Sequence, residues 1–116
     1  MTGDKRKSER IPVQAHATYL KEDKNSWEEC LIMDVSREGM GILLLSNGLT
    51  NAGENLMLEI MIASKTIEAT GTIMWTKELQ GSKVINCAAG IKFIDMDDKA
   101  RKSLVDYAYS QSDRDG

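Results

Sequence analysis

The chain of 116 residues has one histidine, one proline, one phenylalanine and two cysteines. Each scarcity removes a class of function. A His-based zinc cluster or a Ser-His-Asp triad would depend entirely on His16, which sits in an alternating apolar and polar stretch and reads instead as a strand residue. Cys30 and Cys87 lie in separate apolar runs, without the close pairing of metal or redox motifs, and read as buried free thiols. No apolar run approaches the roughly 20 residues of a membrane helix. Met1 to Arg10 contains no apolar segment of the secretory kind, so the expected location is the cytoplasm, with no membrane span. There is no Gly-rich phosphate loop opening a helix, no nucleophile elbow and no HExxH, so no catalysis is expected.

What remains is an ordinary globular composition, 41% hydrophobic and 28% charged, at a length suited to one core. Charge becomes informative when divided. Residues 1 to 12 carry Lys5, Arg6, Lys7 and Arg10 against Asp4 and Glu9, a local balance of +2. The rest holds 11 basic and 16 acidic residues, or −5. An acidic body argues against a broad nucleic-acid surface, and six aromatics are too few for a base-stacking platform along a polymer. A small anion at the basic arm remains compatible with it.

Hydrophobic periodicity divides the chain into six short strands and a helix. VQAHATYL (13–20) alternates with period two, WEECLIMDVS (27–36) and MGILLL (40–45) flank the turn Arg37-Glu38-Gly39, and ENLMLEIMI (54–62) follows a polar loop. In TIEATGTIMWT (66–76), Ile67, Ala69, Gly71, Ile73 and Trp75 fall on one face, which places Trp75 in sheet packing. VINCAAGIKFI (84–94) is a sixth strand, in which Gly90 allows a bulge or a close approach. Asp95 to Asp98 offer helix N-caps, after which Ala100, Leu104, Val105 and Ala108 recur at helical spacing, and the tail from residue 111 is expected to fray. The pattern is all-β: a small six-stranded antiparallel β-barrel, residues 13–110, with a C-terminal α-helix and a flexible N-terminal arm, residues 1–12.

Two motifs stand out from this frame. Arg6-Lys7-Ser8-Glu9-Arg10 is an RxxxR directly before the first strand, and Asp34-Val35-Ser36-Arg37-Glu38-Gly39 is a DxSxxG between the second and third. Read as a strand, the latter puts Asp34 and Ser36 on one face and Met33 and Val35 on the other. In this order, about two dozen residues apart, and followed by strands ending in GIKF and a helix, the two motifs resemble those of the PilZ domain, the bacterial receptor module for cyclic di-GMP. The resemblance implies that Arg6 and Arg10 bind the dinucleotide, that Asp34 and Ser36 contact it, and that Gly39 shapes the turn. It implies further that Lys5, the residue before RxxxR, bears on whether one ligand or an intercalated pair is held. The expected protein needs no cofactor and no metal, takes cyclic di-GMP as ligand, and acts on a downstream protein effector. A PilZ-like interaction domain that binds no nucleotide is the alternative.

Overall fold

Apolar residues at alternate positions build the first strand, β1 (Ile11–Lys21), whose Ile11, Val13, Ala17 and Tyr19 are buried while Pro12 and Gln14 face solvent. Alternation recurs in β2 (Glu28–Val35), β4 (Asn55–Ile62) and most of β5 (Lys65–Glu78), while β3 (Gly39–Leu44) and the middle of β6 (Cys87–Asp95) are buried at consecutive positions; the helix α1 (Asp98–Asp115) follows. The computed structural model describes residues 9–22, 24–44, 51–79 and 87–115, with side chains in α1 as far as residue 111. The strands form one closed antiparallel barrel in the order β1-β2-β3-β6-β5-β4, as the sequence pattern predicts. Closure comes from pairing of β1 with both β2 and β4.

The barrel is filled by inward-facing side chains, among them Tyr19, Ile32, Ile42, Leu58, Ile60 and Ile73. Cys30 belongs to this core, and burial pushes its thiol up to about 12, so it packs as a neutral group. Both cysteines are free thiols.

Helix α1 starts where the sequence offers aspartates. Asp97 Oδ2 accepts from the backbone N–H groups of Lys99 and Ala100 at 3.0 and 3.2 Å, and the Asp97 carbonyl accepts the first helical bond from Arg101. Leu104 and Ala108 turn inward onto the core, with the helix lying chiefly against β1. The helix runs on to Asp115, past its last buried apolar residue, because residues 109–115 include neither glycine nor proline. No helix among the described residues is long and apolar enough to cross a membrane.

The β4–β5 connection is tight: Ile62 pairs with Lys65, leaving only Ala63 and Ser64 to turn the chain. Ala63 takes a φ of 49°, in the left-handed region where a Cβ crowds the backbone. Ala63→Gly is therefore expected to stabilise the domain by about 0.5–1 kcal/mol, seen as a higher urea midpoint at unchanged slope. A lowered midpoint would show that the turn is not strained.

Candidate functional site

Four neighbouring strands contribute one continuous row of register partners to the outside of the barrel. Asp34 of β2 stands opposite Gly41 of β3, Gly41 opposite Gly90 of β6, and Gly90 opposite Trp75 of β5. Two adjacent glycines leave the middle of the row as bare backbone, between a carboxylate at one end and an indole at the other. Both ends lean inward over the gap. A Cβ on Gly41 would stand 2.9 Å from Asp34 Oδ1, and one on Gly90 would overlap the Trp75 indole.

Strict alternation would not produce this row. Cys30 and Ile32 face the core, so Asp34 should follow them inward. Instead, the register shifts between Ile32 and Asp34, with Met33 as the extra residue, and Val35 takes the next inward place. On β5, Ile67, Ala69, Gly71 and Ile73 face inward as the sequence predicts, but a second shift between Ile73 and Trp75 inserts Met74 and turns Trp75 out, 43% exposed. The expectation that Trp75 packs in the sheet interior is thus corrected, and so is the pairing of Met33 with Val35 on one face.

Arg10 joins the row from the end of the arm. Its Nη1 donates to Asp34 Oδ1 at 2.6 Å, bridging the two sequence motifs across 24 residues. Asp34 Oδ1 also accepts from the Gly41 backbone N–H at 3.0 Å, whereas Oδ2 accepts no hydrogen bond among the described residues. The side chains of Arg10 and Asp34 remain 46% and 27% exposed, so the ion pair contributes only about 1 kcal/mol or less after solvent screening and can be remodelled.

The DxSxxG turn forms the rigid side of the site. Ser36 is 5% exposed, its Oγ accepting from the N–H groups of Glu38 and Gly39 at 3.3 and 3.2 Å and donating to the Gly39 carbonyl at 3.3 Å. A hydroxyl has one proton to donate and two lone pairs, so its capacity is spent inside the turn. Ser36 therefore does not stand beside Asp34 on a strand face; it holds the loop in shape. Gly39 permits the turn to meet β6, since a Cβ there would overlap the Ile91 carbonyl, and the Phe93 N–H donates to the Glu38 carbonyl at 2.7 Å. Arg10, Ser36, Gly39, Trp75, Gly90 and Lys92 line a cleft of about 230 Å³, also bordered by Glu38.

The arrangement suits a ligand that is planar, anionic and able to donate hydrogen bonds: an indole to stack on, cations for negative charge, and a carboxylate oxygen ready to accept. Among the described residues no group of three or more His, Cys, Asp or Glu is placed to hold a metal ion.

A family model described as "PilZ domain" matches residues 4–110. The chain belongs to the PilZ domain family. Among solved structures this PilZ domain is similar to the Bacillus subtilis inhibitor of motility (MotI/DgrA), with a TM-score of 0.76 and 15% identity over 94% of this chain and 52% of that one. It is similar also to the PilZ domain, with c-di-GMP, of YcgR from Escherichia coli, with a TM-score of 0.76 and 16% identity over 94% of this chain and 92% of that one. The chain spans about half the length of the Bacillus protein. No curated protein matches it in sequence. PilZ domains are receptor modules without catalytic activity, which agrees with the reading of the chain as no enzyme.

Of the residues singled out in the sequence, the fold brings Arg10, Ser36 and Gly39 of this PilZ domain around one cleft and ties Asp34 to it through Arg10, while Lys5 and Arg6 lie outside the described residues. Sequence reading missed Gly41, Lys92 and the outward turn of Trp75. Gly41 carried a signal of its own, being a glycine inside the apolar stretch MGILLL where no turn requires one.

The indole rests on Gly90, so Gly90→Ala must displace it. In a Trp27→Phe background, where Trp75 alone emits as an indole, Gly90→Ala is expected to shift the emission to longer wavelength, and an unchanged spectrum would show that Trp75 does not lie on the glycine floor.

Proposed function

We propose that this domain is a cyclic di-GMP receptor. The observation that carries the reading is the 2.6 Å contact between Arg10 and Asp34, which joins RxxxR to DxSxxG at a cleft walled by an exposed indole. Cyclic di-GMP presents two phosphodiester anions and two guanines. Arg10 can grip phosphate oxygens or the O6/N7 edge of a guanine with its planar fork, and Arg6 adds a second such group from the arm. Asp34 Oδ2 accepts from guanine N1 and N2 hydrogens without giving up the bond that Oδ1 makes to Gly41. Trp75 offers a face to a purine, and Gly41 and Gly90 leave the room in which the Asp34 carboxylate and the indole lie close against the strands.

Ser36 and Gly39 serve the site by fixing the turn. The response starts at Arg10: ligand draws its guanidinium from a weak, exposed ion pair into charge-assisted bonds. The resulting change in surface and charge is what a downstream protein effector would read. Lys5, next to the first arginine, adds charge but stacks less well than an arginine would, which favours a pair of ligands only modestly.

Calorimetry with cyclic di-GMP tests this directly. Wild type is expected to bind, while Arg10→Ala and Asp34→Ala weaken binding about tenfold or more, since each removes hydrogen bonds to or from a charged group. GMP and GTP should compete poorly, lacking the two-guanine ring. Absence of heat and of amide shifts in wild type would overturn the receptor reading in favour of an interaction domain that takes no nucleotide.

A further inference from the structure

Two described cations line the cleft, and they are not equivalent. Arg10 is engaged with Asp34 at 2.6 Å, whereas the Lys92 ammonium has no hydrogen bond and no ion pair among the described residues. Lys92 lies on β6 one step beyond the glycine row, where its register partners are Gly39 on one side and Thr72 on the other. Gly39 has no side chain to cover it. The Thr72 hydroxyl is already donated to Asn55 Oδ1 at 2.7 Å. Neither neighbour competes for the ammonium.

Its position is fixed although its head is exposed. The Phe93 N–H bond to the Glu38 carbonyl and the close fit of Gly39 against Ile91 fasten this part of β6 to the DxSxxG turn. The base of the Lys92 side chain is therefore held by the same contacts that shape the site. Charge balance gives that position a consequence. Among the described residues that line the cleft, Arg10 and Lys92 stand against Glu38, two positive and one negative, and Arg10 is shared with Asp34. Without Lys92 the lining would carry no net positive charge and would attract a dianion less.

We infer that Lys92 is a ligand-binding residue, supplying from the strand side of the cleft a phosphodiester cation in addition to the arginines of the arm. The inference rests on the cyclic di-GMP reading above and adds to it a contact outside both sequence motifs. An ammonium suits this task, because a phosphodiester approached from the strand side needs a flexible point charge more than a planar fork.

Binding of cyclic di-GMP to wild type, Lys92→Gln, Lys92→Arg and Lys92→Glu, with Lys99→Gln as a control outside the cleft, tests it. Lys92→Gln is expected to weaken binding about tenfold, Lys92→Glu further, and Lys92→Arg and Lys99→Gln little. Loss of one ligand-facing charge must also flatten the salt dependence of the Lys92→Gln affinity relative to wild type, which a purely structural role would not do. Equal melting temperatures would confirm that an exposed side chain was changed without harming the fold. Wild-type binding with unchanged affinity and salt dependence in Lys92→Gln overturns the role of Lys92 alone; failure of wild type to bind overturns the receptor reading and this inference together.

Discussion

The site depends on two single-residue insertions in the barrel ladder. Met33 and Met74 each shift the register by one, and each shift turns the following residue from the core to the surface: Asp34 on β2, Trp75 on β5. Without them a carboxylate would be driven into an apolar barrel beside Cys30 and Ile32, at a desolvation cost of several kcal/mol, and the indole would compete with Ile73 for core volume. With them, the two groups face each other across Gly41 and Gly90, the positions where a side chain would collide with one or the other. The bulges and the glycines are one device, since the outward-turned carboxylate and indole can lie over Gly41 and Gly90 only because those residues carry no side chain.

Around that floor the interactions divide by strength. The turn is held by a saturated Ser36 hydroxyl, by the Gly39 approach to β6 and by the Phe93 bond to Glu38, all within the packed part of the molecule. Glu9 and Arg10, ahead of β1, make contacts that are open to water: the exposed Arg10–Asp34 pair and a 3.4 Å bond from the Tyr109 hydroxyl to Glu9. Such a division gives a binding site a fixed half and an adjustable half, and confines the ordering that a ligand must bring to a few residues. The helix touches both halves: Arg101 donates to the Arg37 carbonyl and lies over the Phe93 ring, while Tyr109 reaches the arm.

Much of this was legible beforehand, for identifiable reasons. Period-two alternation marked β1 and most of β5, which turn one face to the barrel interior and one to water, whereas β3 and the middle of β6, buried on both faces, were marked as short apolar runs between turn residues. The helix was marked by Asp97 and by Leu104 and Ala108 at one-turn spacing. Arg10, Asp34 and Gly39 were recognisable as a motif. Ser36 was recognised for its position in the motif; a strand reading sets it beside Asp34, whereas in the fold the turn closes on its hydroxyl. Trp75 failed for the opposite reason, because the alternation that correctly placed Ile67 through Ile73 gives no warning of the residue at which it stops.

The sequence by itself determined the class of fold, the sign of the arm and the identity of the motif residues, all of which follow from local pattern and residue chemistry. Only the tertiary structure decided which side chains share a surface. That outcome depends on cross-strand register, and register is set by the pairing of segments far apart in the chain, where one unpaired methionine reverses every residue after it. For this reason Gly41, Gly90 and Lys92, each unremarkable in its own strand, acquire meaning only beside Asp34, Trp75 and Gly39.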